Sequence, residues 1–273
     1  AGGSTINVQG AGGSNAASLG VNLGGTGGSG GSAGNVNVTN TASIATGSDD
    51  PLLSELYGNN AYGIYAQSVG GGGGSGGEAI SVQGAFSTEG VAANAGVSLG
   101  GDGGEGGSSG DVTVDNSGLI KTIGNNSAAI YAQSLGGGGG AGGRVITAQL
   151  AASSDGVTPN IGAAIGGTGA KGATSGDVTI TNSGDIFTGT QYAQDGEIYG
   201  DFAYGIFAQS VGGGGGAGGS TINGQIAGGT STAVNAGVSI GGSGAEGSSA
   251  GSVSVFNSAE TIRTLGDHAS GIV

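Results

Sequence analysis

Catalysis by side chains needs a nucleophile, a base or a metal-binding set, and few residues of this chain qualify. Of 273 residues one is His, none is Cys, Met or Trp, 18 are acidic and 4 are basic. His268 lies in the segment GDHAS. To serve a triad it would have to converge with a Ser and an Asp, and no spacing suggests this. It takes the place held by Asn60, Ser127 and Phe202 in the other copies of its segment, which marks it as a corner residue. Asp49 and Asp50 adjoin in a polar stretch, without the apolar surroundings that raise an acid's pKa. GGDGGEGG, from Gly100 to Gly107, superficially matches a calcium-binding nonapeptide. Its counterparts read GGTGGSGG, GGTGAKGA and GGSGAEGS, so most copies lack the carboxylates. Lys121, Arg144, Lys171 and Arg263 are scattered over three of the four copies. The chain therefore predicts no catalytic group, no metal site and no cofactor, and without Cys it excludes disulfides and thiolate sites.

The balance of charge narrows the partners. A net charge of −14 repels phosphate, and four cations make no basic stripe, which argues against nucleic acid. No apolar run reaches the roughly 20 residues a membrane helix needs, and no basic amphipathic segment suits an anionic bilayer. Residues 1–20 do not read as a signal peptide. The chain opens and closes in mid-pattern and is expected to be a piece of a longer array.

The elements that would position any site come from a repeat. AYGIYAQSVGGGGGSGG (Ala61 to Gly77) returns as AAIYAQSLGGGGGAGG (Ala128 to Gly143) and AYGIFAQSVGGGGGAGG (Ala203 to Gly219). GNVNVTNTASI from Gly34 returns from Gly110, Gly176 and Gly251, and STINVQG from Ser4 returns from Glu78, Arg144 and Ser220. Aligned, these give units 1–74, 75–140, 141–216 and an incomplete 217–273. Within each unit, segments such as INVQ, VNVTN and GIYAQS alternate apolar and polar residues with period two, separated by Asn and Gly corners. Gly at this density opposes helix by about 1 kcal/mol per residue. With 72 Gly and sparse aliphatics the composition alone points to disorder, but a repeat lets neighbouring copies share a thin core. The expectation is an all-β solenoid that buries a row of Ile, Val, Leu and Ala, with a β-sandwich as the alternative.

The pattern NSGxIxTxGxxAxGIxAQSxGGGGGxGG is carried by Asn116 to Gly143 and Asn182 to Gly219, more loosely by Asn40 to Gly77, and by Asn257 to Val273 as far as it goes. It resembles the Gly-rich passenger repeats of bacterial autotransporters, the type V secreted surface proteins. The resemblance implies a right-handed parallel β-helix at the outer surface of a Gram-negative cell. It also implies a structural or adhesive role: a stalk or fibre for attachment or biofilm cohesion, with other copies, host or abiotic surfaces, or glycans as partners. A polysaccharide-processing enzyme on the same scaffold and an ice-binding protein are the alternatives.

Two features invite closer reading. The five-residue Gly runs Gly70–Gly74, Gly136–Gly140 and Gly212–Gly216 are either flexible exposed loops or polyglycine-II strands stacked on one another. A nucleotide-cradling loop is rejected, because no helix and no Lys follow. Insertions lengthen units one and three: DDPLLSELYGNN (Asp49 to Asn60) and QYAQDGEIYGDF (Gln191 to Phe202). They either cap apolar edge or contact a partner, through Asp49, Asp50, Glu55 and Tyr57 in the first and Tyr192, Asp195, Glu197 and Tyr199 in the second.

Overall fold

A computed structural model describes residues 1–47, 58–191 and 198–273, and among these there is no helix. The first rung holds β1 (Thr5–Gly13), β2 (Ala16–Leu23), β3 (Val36–Asn40), β4 (Ile44–Thr46) and β5 (Ile64–Val69). The second repeats it as β6 (Ala79–Ser87), β7 (Ala92–Leu99), β8 (Val112–Asn116), β9 (Ile120–Thr122) and β10 (Ile130–Leu135). The third has β11 (Val145–Ser153), β12 (Thr158–Ile165), β13 (Val178–Asn182) and β14 (Ile186–Thr188). A small hairpin follows, β15 (Thr190–Gln191) with β16 (Ile198–Tyr199), and then β17 (Ile206–Val211). The fourth has β18 (Thr221–Gly229), β19 (Ala233–Ile240), β20 (Val253–Asn257) and β21 (Ile262–Thr264).

Equivalent strands pair in parallel, in the orders β1-β6-β11-β18, β2-β7-β12-β19, β3-β8-β13-β20, β4-β9-β14-β21 and β5-β10-β17. Like sits on like: Val36 pairs with Val112 and Ile64 with Ile130, 76 and 66 residues on. The chain is a parallel β-solenoid, and the sandwich alternative falls. Among the described residues only β15 and β16 pair antiparallel.

Each rung has three parts. β3, β4 and β5 with their counterparts form a three-sided prism around Val112, Val114, Ile120, Ile130, Val178, Ile180, Ile186 and Ile206. Here the expected aliphatic row is present, because alternate residues of VNVTN and GIYAQS turn inward. At the bends, Asn40, Asn116, Asn182 and Asn257 form a ladder in which each amide donates to the next Oδ1 at 2.7 Å.

The second part is the glycine waist. Gly71, Gly74 and Gly77 donate to the carbonyls of Gly31, Gly28 and Gly25, while Gly70, Gly73 and Gly76 donate to Leu135, Gly138 and Ala141 in the next rung. Bonds that recur every third residue in two directions are the lattice of polyglycine II. Two layers result, antiparallel to each other and parallel within each. The flexible-loop reading is overturned, since an extended helix of three residues per turn, without side chains, satisfies its backbone in an inner rung against four neighbouring strands.

In the third part, the arm, β1, β6, β11 and β18 face β2, β7, β12 and β19. The expected apolar interior is reversed here for most large side chains, although Val145 and Ala79, Ala85, Ala92, Ala151 and Ala164 stay buried. Ser81, Gln83, Asn94, Ser98, Gln149 and Asn160 are buried, while Ile6, Val8, Leu19, Val21, Phe86 and Ile161 are exposed. Gln149 donates to Gln83 and accepts from Gln225, both at 2.7 Å, and Asn94 donates to Asn160 at 2.9 Å. Side-chain amides can extend a ladder at the strand spacing, which gives the polar phase of the alternation a partner inside. The Gln side chains also need room opposite, and Gly20, Gly96, Gly162 and Gly237 supply it: a Cβ at Gly96 would stand 2.4 Å from Gln83 Oε1.

Candidate functional site

The insertions were the best sequence candidates for contact. Asp49, Asp50, Glu55, Tyr57, Tyr192, Asp195 and Glu197 lie outside the described residues; Tyr199 lies within them, on β16, paired with Thr190. The roots of both insertions are described. Gly47 and Gly58 have φ of 82° and 146°, and Gly189 and Gly200 have φ of 76° and 134°. These conformations suit Gly, and they let the chain leave and re-enter at one point. The Cα of Gly47 is 2.8 Å from where a Cβ of Gly58 would lie, so the insertion is spliced in without disturbing the rungs. The uninserted rungs close the link with Ile123-Gly124 and Leu265-Gly266, where the glycines keep φ near +107° and +106°.

Beside the third-rung root lies a groove of about 300 Å³, lined by Lys121, Phe187, Thr188, Gly189, Thr190, Arg263 and Leu265. Lys121, Phe187 and Arg263 occupy one row of the β9-β14-β21 ladder. Two cations that look scattered in sequence therefore stand two rungs apart, roughly 10 Å, flanking an aromatic ring. Only a fixed register brings out this pairing.

The carboxylates serve the backbone. Asp111 Oδ1 accepts from Asp177 N, Asp177 Oδ1 from Ser252 N, and Asp201 Oδ1 from Asp267 N, at 2.7–2.9 Å. Asp102 Oδ1 accepts both the amide and the hydroxyl of Thr168, and these bonds hold its carboxyl below the ordinary range despite a small opposing effect of burial. In GGDGGEGG the carboxylate that would suggest calcium thus ties one rung to the next. Among the described residues no group of three or more His, Cys, Asp or Glu is placed to hold a metal ion.

His268 is exposed and stacks on Phe202, with ring centroids 5.0 Å apart. Asn60, Asn126, Phe202 and His268 share φ of 55–59°. The corner equivalent to His268 in the second rung is therefore Asn126, not Ser127. Ser127 is buried one residue on, donating to Gly58 O and accepting from Ala61 N.

An aromatic ladder completes the inventory. Tyr65, Tyr131 and Phe207 stack at 4.9 and 4.7 Å with nearly parallel rings. Loss of solvation, with smaller effects from Tyr65 and Tyr62, pushes the Tyr131 hydroxyl above its usual pKa. Because the rings cover one another's faces, the ladder offers edges outward and serves as a cross-strand staple. Chemically, the described surface holds backbone-capping carboxylates, one cation–aromatic row and two wide apolar sheets, a set suited to contact. The chain matches no family model, no curated protein and no solved structure.

Proposed function

We propose that this chain is a segment of a structural, adhesive fibre on a bacterial cell surface. The observation that supports this most is the register: near-identical rungs stacked strand on strand, with glycine helices hydrogen-bonded along the same axis. The passenger resemblance supports the location, and the net charge of −14 keeps neighbouring molecules soluble. Geometry also refines the role. A rung spends 66 to 76 residues to rise one strand spacing, so four rungs climb only roughly 15 Å. Across the axis, one antiparallel register runs from Ser68–Gly34 through Gly71–Gly31 and Gly77–Gly25 to Ile80–Asn22. Material goes into breadth, which favours cohesion and attachment through wide faces over reach.

Labelling intact cells that produce the protein, with an antibody to residues 1–47, tests the location. Comparing how fast cells settle with and without the protein tests cohesion. Label on unbroken cells and faster settling are expected. Label that appears only after lysis, or settling that does not change, would overturn the reading.

A further inference from the structure

The arm has a polar interior and an apolar exterior, so something other than its own core gains from those outer side chains. The outer face of β2-β7-β12-β19 carries four rows: Ala17, Ala93, Pro159 and Val234; Leu19, Ala95, Ile161 and Ala236; Val21, Val97, Ala163 and Val238; Leu23, Leu99, Ile165 and Ile240. None is charged, on a chain whose net charge is −14. Leu19 is 75% and Ile161 57% exposed. A shallow groove of about 580 Å³ runs along these rows over Gly20, Gly96, Gly162 and Gly237.

We infer that this face docks on the same face of a second copy, related by a two-fold axis that runs along the strands between β7 and β12. Such an axis keeps each row opposite itself and reverses the order of rungs. Leu19 then meets Ala236 of the second copy and Ala95 meets its Ile161, so every large residue of the row faces a small one. In the next row Val97 meets Ala163. The outer face of β1-β6-β11-β18 also pairs large with small, Gly10 with Ile226 and Gly84 with Leu150, but it offers less apolar surface, because Gly10, Gly12, Gly84, Gly224 and Gly228 stand on it.

Size agrees with this occupant. Four strands of eight residues present roughly 500 Å² per copy, or about 1,000 Å² in total, the lower limit for a specific contact. Further rungs would extend it in proportion. The proposal deepens the cohesion reading and rests on it, since it names the face and the partner.

Sedimentation equilibrium of the 273-residue chain, over a wide concentration range and at low and high salt, provides the test. A monomer–dimer equilibrium is expected, tighter at high salt because salt screens repulsion between acidic copies. Ala95→Ile places Ile against Ile161 and should raise Kd by about tenfold or more through overpacking. Adding Ile161→Ala moves the knob to the other rung and should restore dimerisation. Ile161→Glu should abolish it, whereas Val82→Glu on the opposite face should not. Circular dichroism checks that each variant folds, which the lack of full burial at these positions favours.

A chain monomeric throughout would overturn the inference, as would association indifferent to Ala95→Ile and Ile161→Glu, the mark of end-to-end stacking. Binding to phosphatidylcholine vesicles that Ile161→Glu removes, without a dimer, would assign the face to lipid and overturn it too. A folded monomer whose cells still settle faster would remove this contact and leave the adhesive reading standing.

Discussion

Thr158 shows how a single hydroxyl fares inside the arm. It is fully buried with no partner for Oγ1, and its counterparts in the column are Ala16, Ala92 and Ala233. Nearby lies a small cluster of Ala16, Ala85, Ala92 and Ala151, which offers no acceptor from its side chains. A buried hydroxyl without a hydrogen bond costs on the order of 1–3 kcal/mol, and Val has almost the same shape. Thr158→Val should therefore stabilise the fold by about 1 kcal/mol, read as a higher midpoint in urea by circular dichroism. A lower midpoint would mean that the hydroxyl has a partner after all. Phe202 is a second local oddity, a bulky residue at φ 55° where the first two rungs use Asn, and its stacking with His268 offsets part of that strain.

At the scale of elements the glycine strands make the sharpest prediction. A Cβ at Gly139 would stand 1.8 Å from the Ala170 carbonyl oxygen, whereas one at Gly138 would come no closer than 3.6 Å to its nearest neighbour, Gly214 O. The chain already uses this distinction: Ser75, Ala141 and Ala217 sit three residues beyond Gly72, Gly138 and Gly214, on the open side of the near layer, the one built from Gly70–Gly77 and its counterparts, with Gly24–Gly31 and its counterparts as the far layer. The far layer is less strict and holds Ala170 and Ala173 within its lattice. Gly139→Ala should destabilise by roughly 3 kcal/mol or more through loss of a close backbone contact. Gly138→Ala should be neutral or raise stability by about 0.5 kcal/mol through the unfolded chain. Equal thermal midpoints for the two variants would refute the lattice. These elements also show what the sequence reveals and what it hides. Recurrence of AQSxGGGGGxGG announced a stack, and VNVTN announced its buried aliphatic row, because repeat and period are local properties. The orientation of INVQ was hidden: a period of two fixes which residues share a face but not which face turns inward. That choice depends on amide ladders between rungs, while strand register between rungs sets Lys121 and Arg263 in one row on either side of Phe187.

For the whole molecule, stability is expected to be distributed along the axis and not held in one core. Each rung contacts only its neighbours, so the free energy of the array is approximately a sum of rung terms and interface terms. The inner rungs have two interfaces and the outer ones have one. At the fourth rung burial follows this: Ala92, Asn94 and Ser98 of β7 and Thr158 and Asn160 of β12 are buried, while every residue of β19 is exposed; at the other end of the sheet β2 keeps Ala16, Ser18 and Asn22 buried. The prism repeats the trend, with Val112 and Val178 fully buried and Val253 46% exposed. Hydrogen exchange should therefore be slowest for amides of β7, β8, β12 and β13 and fastest for β19 and β20, a gradient that a single cooperative globule would not show. Extending the chain by one further rung beyond residue 273 should slow exchange in β19 and β20 towards the inner values and move the fraying to the added rung. Uniform exchange across the four rungs, or a gradient that stays on β19 and β20 after extension, would mean that cohesion does not come from stacking.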